Sequence, residues 1–85
     1  MSGVLPVLHM MEKYHLNRIH VVSSNLNSVG YDPSTRTLEI EFHEGGVYVY
    51  NNVPQHIYDG LMSASSKGSY HHSHIKNSYS TSKIR

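Results

Sequence analysis

A chain of 85 residues with a net charge of +1 and no cysteine has room for one domain with a modest core, held together without disulfides or a thiolate metal site. So small a charge excludes recognition of nucleic acid or membrane surface by bulk electrostatics, and any contact with phosphate needs a local patch. The 8 histidines would add positive charge only in acid, since an ordinary imidazole titrates near about 6.5.

Residues 1–17 show only a loose helical spacing of Leu8, Met11 and His15 behind Pro6. Residues 1–18 are therefore expected to form a poorly ordered arm that folding does not require. The apolar tract VLPVLHMM is broken by Pro6 and His9. It falls well short of the roughly 18 residues of a membrane span and has no basic leader, so a cytoplasmic address without membrane contact is expected.

From Ile19 onward β-branched residues predominate. Ile19, Val21 and Val22 open a first strand that resumes at Leu26, Val29 and Tyr31. The apolar parity changes between Leu26 and Val29, and a one-residue bulge there would return all three later residues to one face. Asp32, Pro33, Ser34 and Thr35 have the chemistry of a turn, with Pro fixing φ and the short polar side chains bonding local donors. Leu38, Ile40 and Phe42 then alternate with Glu39 and Glu41, the period of a half-buried strand, which places both glutamates on the solvent side. Gly45 and Gly46 reverse the chain into residues 47–50. Pro54 suits the first turn of a helix in which Ile57, Tyr58, Leu61 and Met62 form the buried stripe. Ser65, Ser66, Lys67 and Gly68 end that helix and start a second, weakly apolar one that runs to about residue 77. These elements predict an α+β domain over residues 19–79: a three-stranded antiparallel meander covered on one face by two short helices. Whether the tail, residues 80–85, adds a fourth strand stays open.

The segments SSNLNSVGYDPSTRTLEIEF, GGVYVYNNVP, IYDGLMSASSKGSY and IKNSY, in that order, resemble the KTSC domain. That family is named for a segment at the carboxyl end of some lysyl-tRNA synthetases and also occurs as small free-standing bacterial and phage proteins. The resemblance covers about residues 19–79. It rests on the combination of SVGYD, the central Tyr48-Val49-Tyr50 and the ASSKG helix break. It implies a short α+β fold without catalysis, for which an RNA-binding role has been suggested. His71, His72, Ser73 and His74 depart from the pattern, since related sequences more often carry aromatic and amide residues there.

Candidate binding residues follow from the chemistry. Tyr48 and Tyr50 share one strand face and could stack successive bases on an open sheet. The simpler expectation is that they pack beneath the helix, because large aromatics dominate small cores. Lys67, Lys76 and Arg36, with Ser66 at the second helix start and Lys83 and Arg85 in the tail, could converge on phosphate. Solvated surface charge is the plainer account. His71 and His74 lie one turn apart, but a metal needs three or four ligands and acids are sparse nearby, so neither metal nor cofactor is expected. Glu39 and Glu41 read as a solvated face rather than a catalytic pair, and Asp59 lies in no catalytic motif. The resemblance thus implies a non-catalytic binding module, with RNA as the suggested partner. The alternative is a protein-interaction or self-assembling module that uses the sheet face and the amino-terminal arm.

Overall fold

The computed structural model describes residues 16–85; the arm assigned to residues 1–18 therefore lies outside it except for residues 16–18. The alternating segment Thr37–Phe42 forms β3, the centre of an antiparallel sheet in the order β1-β2-β3-β4-β5. The other strands are β1 (Ile19–His20), β2 (Leu26–Asp32), β4 (Val47–Tyr50) and β5 (Thr81–Lys83). The sheet has five strands rather than the expected three. One extra strand arises because the first apolar stretch divides. Ser23 Oγ accepts from the amides of Asn25 and Leu26, turning the chain so that Ile19 and His20 fold back on Val29 and Ser28. The other comes from the tail, where Thr81 and Lys83 pair with Tyr50 and Tyr48.

The parity change in β2 is a bulge, as its spacing predicts: the register shifts between Leu26 and Ser28, which leaves Leu26, Val29 and Tyr31 on one face. The turns form for the anticipated reasons. Asp32 accepts from the Ser34 amide at 2.9 Å and the Ser34 hydroxyl at 2.7 Å, and Gly45 takes the left-handed φ of 107° that a side chain would resist.

Helix α1 (Gln55–Ser63) lays Leu61 into the sheet, with Ile57, Tyr58 and Met62 packed around it. A second helix, α2 (Lys67–Tyr70), starts where Ser66 accepts from the Ser69 amide. It does not run on as a regular helix toward residue 77. Residues His71–Ile75 instead form a π-helical turn, closed by the Lys76 amide on the His71 carbonyl at 2.9 Å. That turn buries His71 and Ile75. The core is then Leu26, Val29, Leu38, Ile40, Tyr50, Leu61 and Ile75 between sheet and helices, with Val21 and Val53 at its margins.

The opposite sheet face is not the solvated surface that alternation predicts. Glu39 is 0% exposed and Val47 and Val49 are 1% and 2% exposed. For Glu39 the reason lies in residues 16–18. The Leu16 amide donates to Glu39 Oε1, Arg18 forms an ion pair with the other oxygen, and Arg18 Nε donates to Ser28 Oγ. This segment approaches so closely because position 30 carries no side chain: a Cβ on Gly30 would lie 2.9 Å from the Asn17 carbonyl oxygen. Glu41 continues the network, accepting from Asn27, Ser28 and Arg85. Burial of a carboxylate is tolerated because its oxygens are paired, and the cost of removing it from water is offset only while the partners stay. Among the described residues no helix is long and apolar enough to cross a membrane.

Candidate functional site

On the helix side of the sheet, β4 and the π-helical turn bound a cleft of about 400 Å³. Its inner lining is aromatic: Phe42, Tyr48, Tyr50 and His71. The outer lining is polar and exposed, with Glu44, Lys76, Asn77 and Thr81. Phe42 and Tyr48 meet edge to face with centroids 5.6 Å apart, and Phe42 meets His71 in the same manner at 5.2 Å. These are favourable geometries for rings with negative faces and positive edges. Lys83 places its ammonium 6.0 Å from the Tyr48 centroid, at the outer limit of a cation–π contact.

The floor is a polar pair. Tyr50 Oη lies 2.8 Å from His71 Nε2. Burial raises the Tyr50 phenol to about 12, and burial, Lys76 and His72 lower the His71 imidazole below its ordinary 6.5. Both shifts favour the neutral forms, so a neutral phenol and a neutral imidazole share this hydrogen bond, the imidazole tautomer deciding which of them donates. A π-helical turn inserts one residue into a helix and commonly marks a functional position; here it brings His71 beneath the cleft.

The sign of the pH effect follows from that lowered value. Below about pH 6.5 the unfolded chain takes up a proton at His71 that the fold resists, so stability falls with acid between the ordinary value and the lower folded one. Glu41 acts in the same direction at lower pH. Its carboxyl is held below the usual 4.5 by hydrogen bonds from Ser28 and Asn27, so the stability it adds is lost as it is protonated. The melting temperature is expected to drop from about pH 7 to about pH 5, with a shallower drop in His71→Gln. Equal slopes in the two proteins would show that His71 is not the titrating group.

The structure brings some expected binding residues together and separates others. Tyr48 and Tyr50 share the cleft with Lys76, but they face the helices rather than an open sheet, and Tyr50 is 3% exposed. Arg36, in left-handed conformation, lies in the β2–β3 turn, where its carbonyl accepts from the Val53 amide; it does not line the cleft. Lys67 donates to the Ala64 carbonyl at 3.0 Å, and the Ser66 hydroxyl bonds that of Ser69 at 2.9 Å, so both serve the junction between the helices. His71 and His74 diverge: the first packs on Tyr50, the second on the Tyr70 ring at 4.5 Å. Among the described residues no three His, Asp or Glu side chains cluster as metal ligands would. Phe42 and His71 are cleft residues that sequence reasoning missed. For Phe42 the signal was present, since it shares the face of Leu38 and Ile40 at the end of β3; for His71 nothing in the polar run around it indicated burial.

Three comparisons place this geometry among known proteins. The profile of the KTSC domain matches residues 22–79. An uncharacterised protein of Stutzerimonas stutzeri is 42% identical over 53 residues, which cover 62% of this chain and 75% of that protein. A lysine–tRNA ligase of a Nostoc species is 39% identical over 56 residues, 66% of this chain but only 10% of the ligase. In structure, a KTSC domain protein from Yersinia pestis superposes with a TM-score of 0.79 at 43% identity, covering 81% of this chain and 97% of that one.

Proposed function

The chain belongs to the KTSC domain family, and from that footing we propose that it is a non-catalytic binding module whose aromatic cleft holds an unstacked base of single-stranded RNA. The observation that carries this reading is the cleft itself: about 400 Å³ lined by Phe42, Tyr48, Tyr50 and His71, with Lys76 at its rim and Lys83 above the Tyr48 ring. Aromatic faces take any base at about 1–3 kcal/mol each, and flanking lysines hold the phosphates on either side. A paired base is unavailable to such a cleft, which selects single strands. The matched ligases of lysine and tRNA supply a context in which RNA is at hand.

The chemistry favours binding over turnover. Glu39 and Glu41, the paired carboxylates of β3, sit on the opposite face in a network with Arg18 and Arg85, away from the cleft. The protein-interaction alternative uses the sheet face and the amino-terminal arm; Glu39, Val47 and Val49 of that face are buried, and the arm lies outside the described residues except for residues 16–18.

The test is fluorescence anisotropy of labelled single-stranded RNA as salt is varied. Two phosphate contacts give a log–log slope of about −1.4 for a single strand. In a Lys76→Ala, Lys83→Ala protein the slope is expected to approach zero while the melting temperature is kept, because both side chains are exposed. Absence of binding by the unaltered protein at low salt would sink the reading.

A further inference from the structure

The aromatic cleft does not end at Phe42. Phe42 and Glu44 also line a second cleft of about 280 Å³, together with Ser24, Asn25 and His43. Ser24 and Asn25 in turn line a third, of about 380 Å³, whose far side is Ser66, Gly68, Ser69 and Ser73. Neighbouring clefts share Phe42 and Glu44 and then Ser24 and Asn25, so the three lie in series, a trough divided by those side chains, from β4 and β5, past the end of β3, to the start of β2. Three strand-to-strand steps make this about 14 Å.

The chemistry changes along the trough. Its first end is aromatic and flanked by Lys76 and Lys83. Its last end is built from hydroxyls and one amide, with the His72 imidazole beside them. Asn25 reaches into that end because position 68 has no side chain; a Cβ on Gly68 would lie 2.9 Å from Asn25 Nδ2. A hydroxyl and amide surface suits the ribose 2′-OH, which both donates and accepts and is the group that distinguishes RNA from DNA.

We infer that the trough is one binding track for about three consecutive nucleotides of single-stranded RNA, with a base in the Phe42–Tyr48 cleft at one end and a ribose 2′-hydroxyl read by Asn25 and the serines at the other. This rests on the RNA-binding reading above and adds to it the length of ligand, its sugar and Asn25 as a specificity-determining residue. A peptide along the same trough is the competing occupant.

The experiment compares uridine monophosphate, tri- and hexauridylate and the deoxy form of the trimer, on the unaltered protein and on Asn25→Ala. Asn25 is an exposed residue whose backbone carbonyl, which accepts from the His43 amide, is kept in the variant. The trimer is expected to bind about tenfold or more tighter than the monomer, and the hexamer to add less than about a further threefold. The deoxy trimer should lose about fivefold or more, and Asn25→Ala should remove most of the gain from monomer to trimer while leaving the monomer unchanged. A trimer no tighter than the monomer, equal binding of ribo and deoxy trimers, or an equal loss for all ligands in Asn25→Ala would overturn the track while leaving base binding in the aromatic cleft intact. No binding of any oligonucleotide would remove both readings and favour the peptide.

Discussion

Replacing Arg18 by methionine is expected to cost the fold about 3–5 kcal/mol, the range seen when one partner of a buried ion pair is removed. Glu39 is 0% exposed and its pairing falls to Arg18 and the Leu16 amide. Among the described residues, methionine would leave its carboxylate with the Leu16 amide as its donor at a fully buried position. Urea denaturation measures the loss, and the informative control is the double variant Arg18→Met, Glu39→Leu. Once both charges are gone, an apolar pair of similar volume should recover most or all of the stability, because desolvation of two ions no longer has to be offset. A single Arg18→Met change with an effect below about 1 kcal/mol would mean that the pair behaves as a surface salt bridge.

Leu61→Ala is expected to destabilise by about 2–5 kcal/mol. Leu61 is 0% exposed and is the buried residue of α1, so its truncation opens a cavity between α1 and the sheet. Glu41→Ala gives the comparison from the other face. Glu41 accepts from Asn27 and Ser28 and pairs with an Arg85 side chain that is 60% exposed; that exposed pair contributes about 1 kcal/mol or less, and the total loss is expected to stay below that of Leu61→Ala. Equal losses from the two changes would contradict a core centred between α1 and the sheet.

Much of this fold was legible in the residues because local pattern and tertiary environment agree. The alternation of Leu38, Ile40 and Phe42, the bulge before Val29 and the Leu61 stripe all take the positions that their spacing predicts. The failures within the sheet share one physical cause: they depend on groups distant in the chain. Glu39 looks solvated because its strand alternates, and only Arg18, 21 positions away, makes its burial tolerable. Thr81, Ser82 and Lys83 have weak strand character, and they pair because β4 presents an unpaired edge. At the candidate site, Tyr48, Tyr50 and Lys76 could be named from residue type alone. The π-helical turn could not, since a single inserted residue leaves no periodic signal, and without it the burial of His71 against Tyr50 has no precursor in the sequence.

The ion pairs of β3 also act as a pair of clamps. Arg18 is held on Glu39 and Arg85 on Glu41, two neighbouring positions of the same strand face, separated by about 7 Å. Two segments that are distant in the chain are therefore clamped side by side on the sheet face turned away from the aromatic cleft. A change that loosens either clamp acts on that face first, and the helix side of the sheet, where the cleft lies, feels it only through β3.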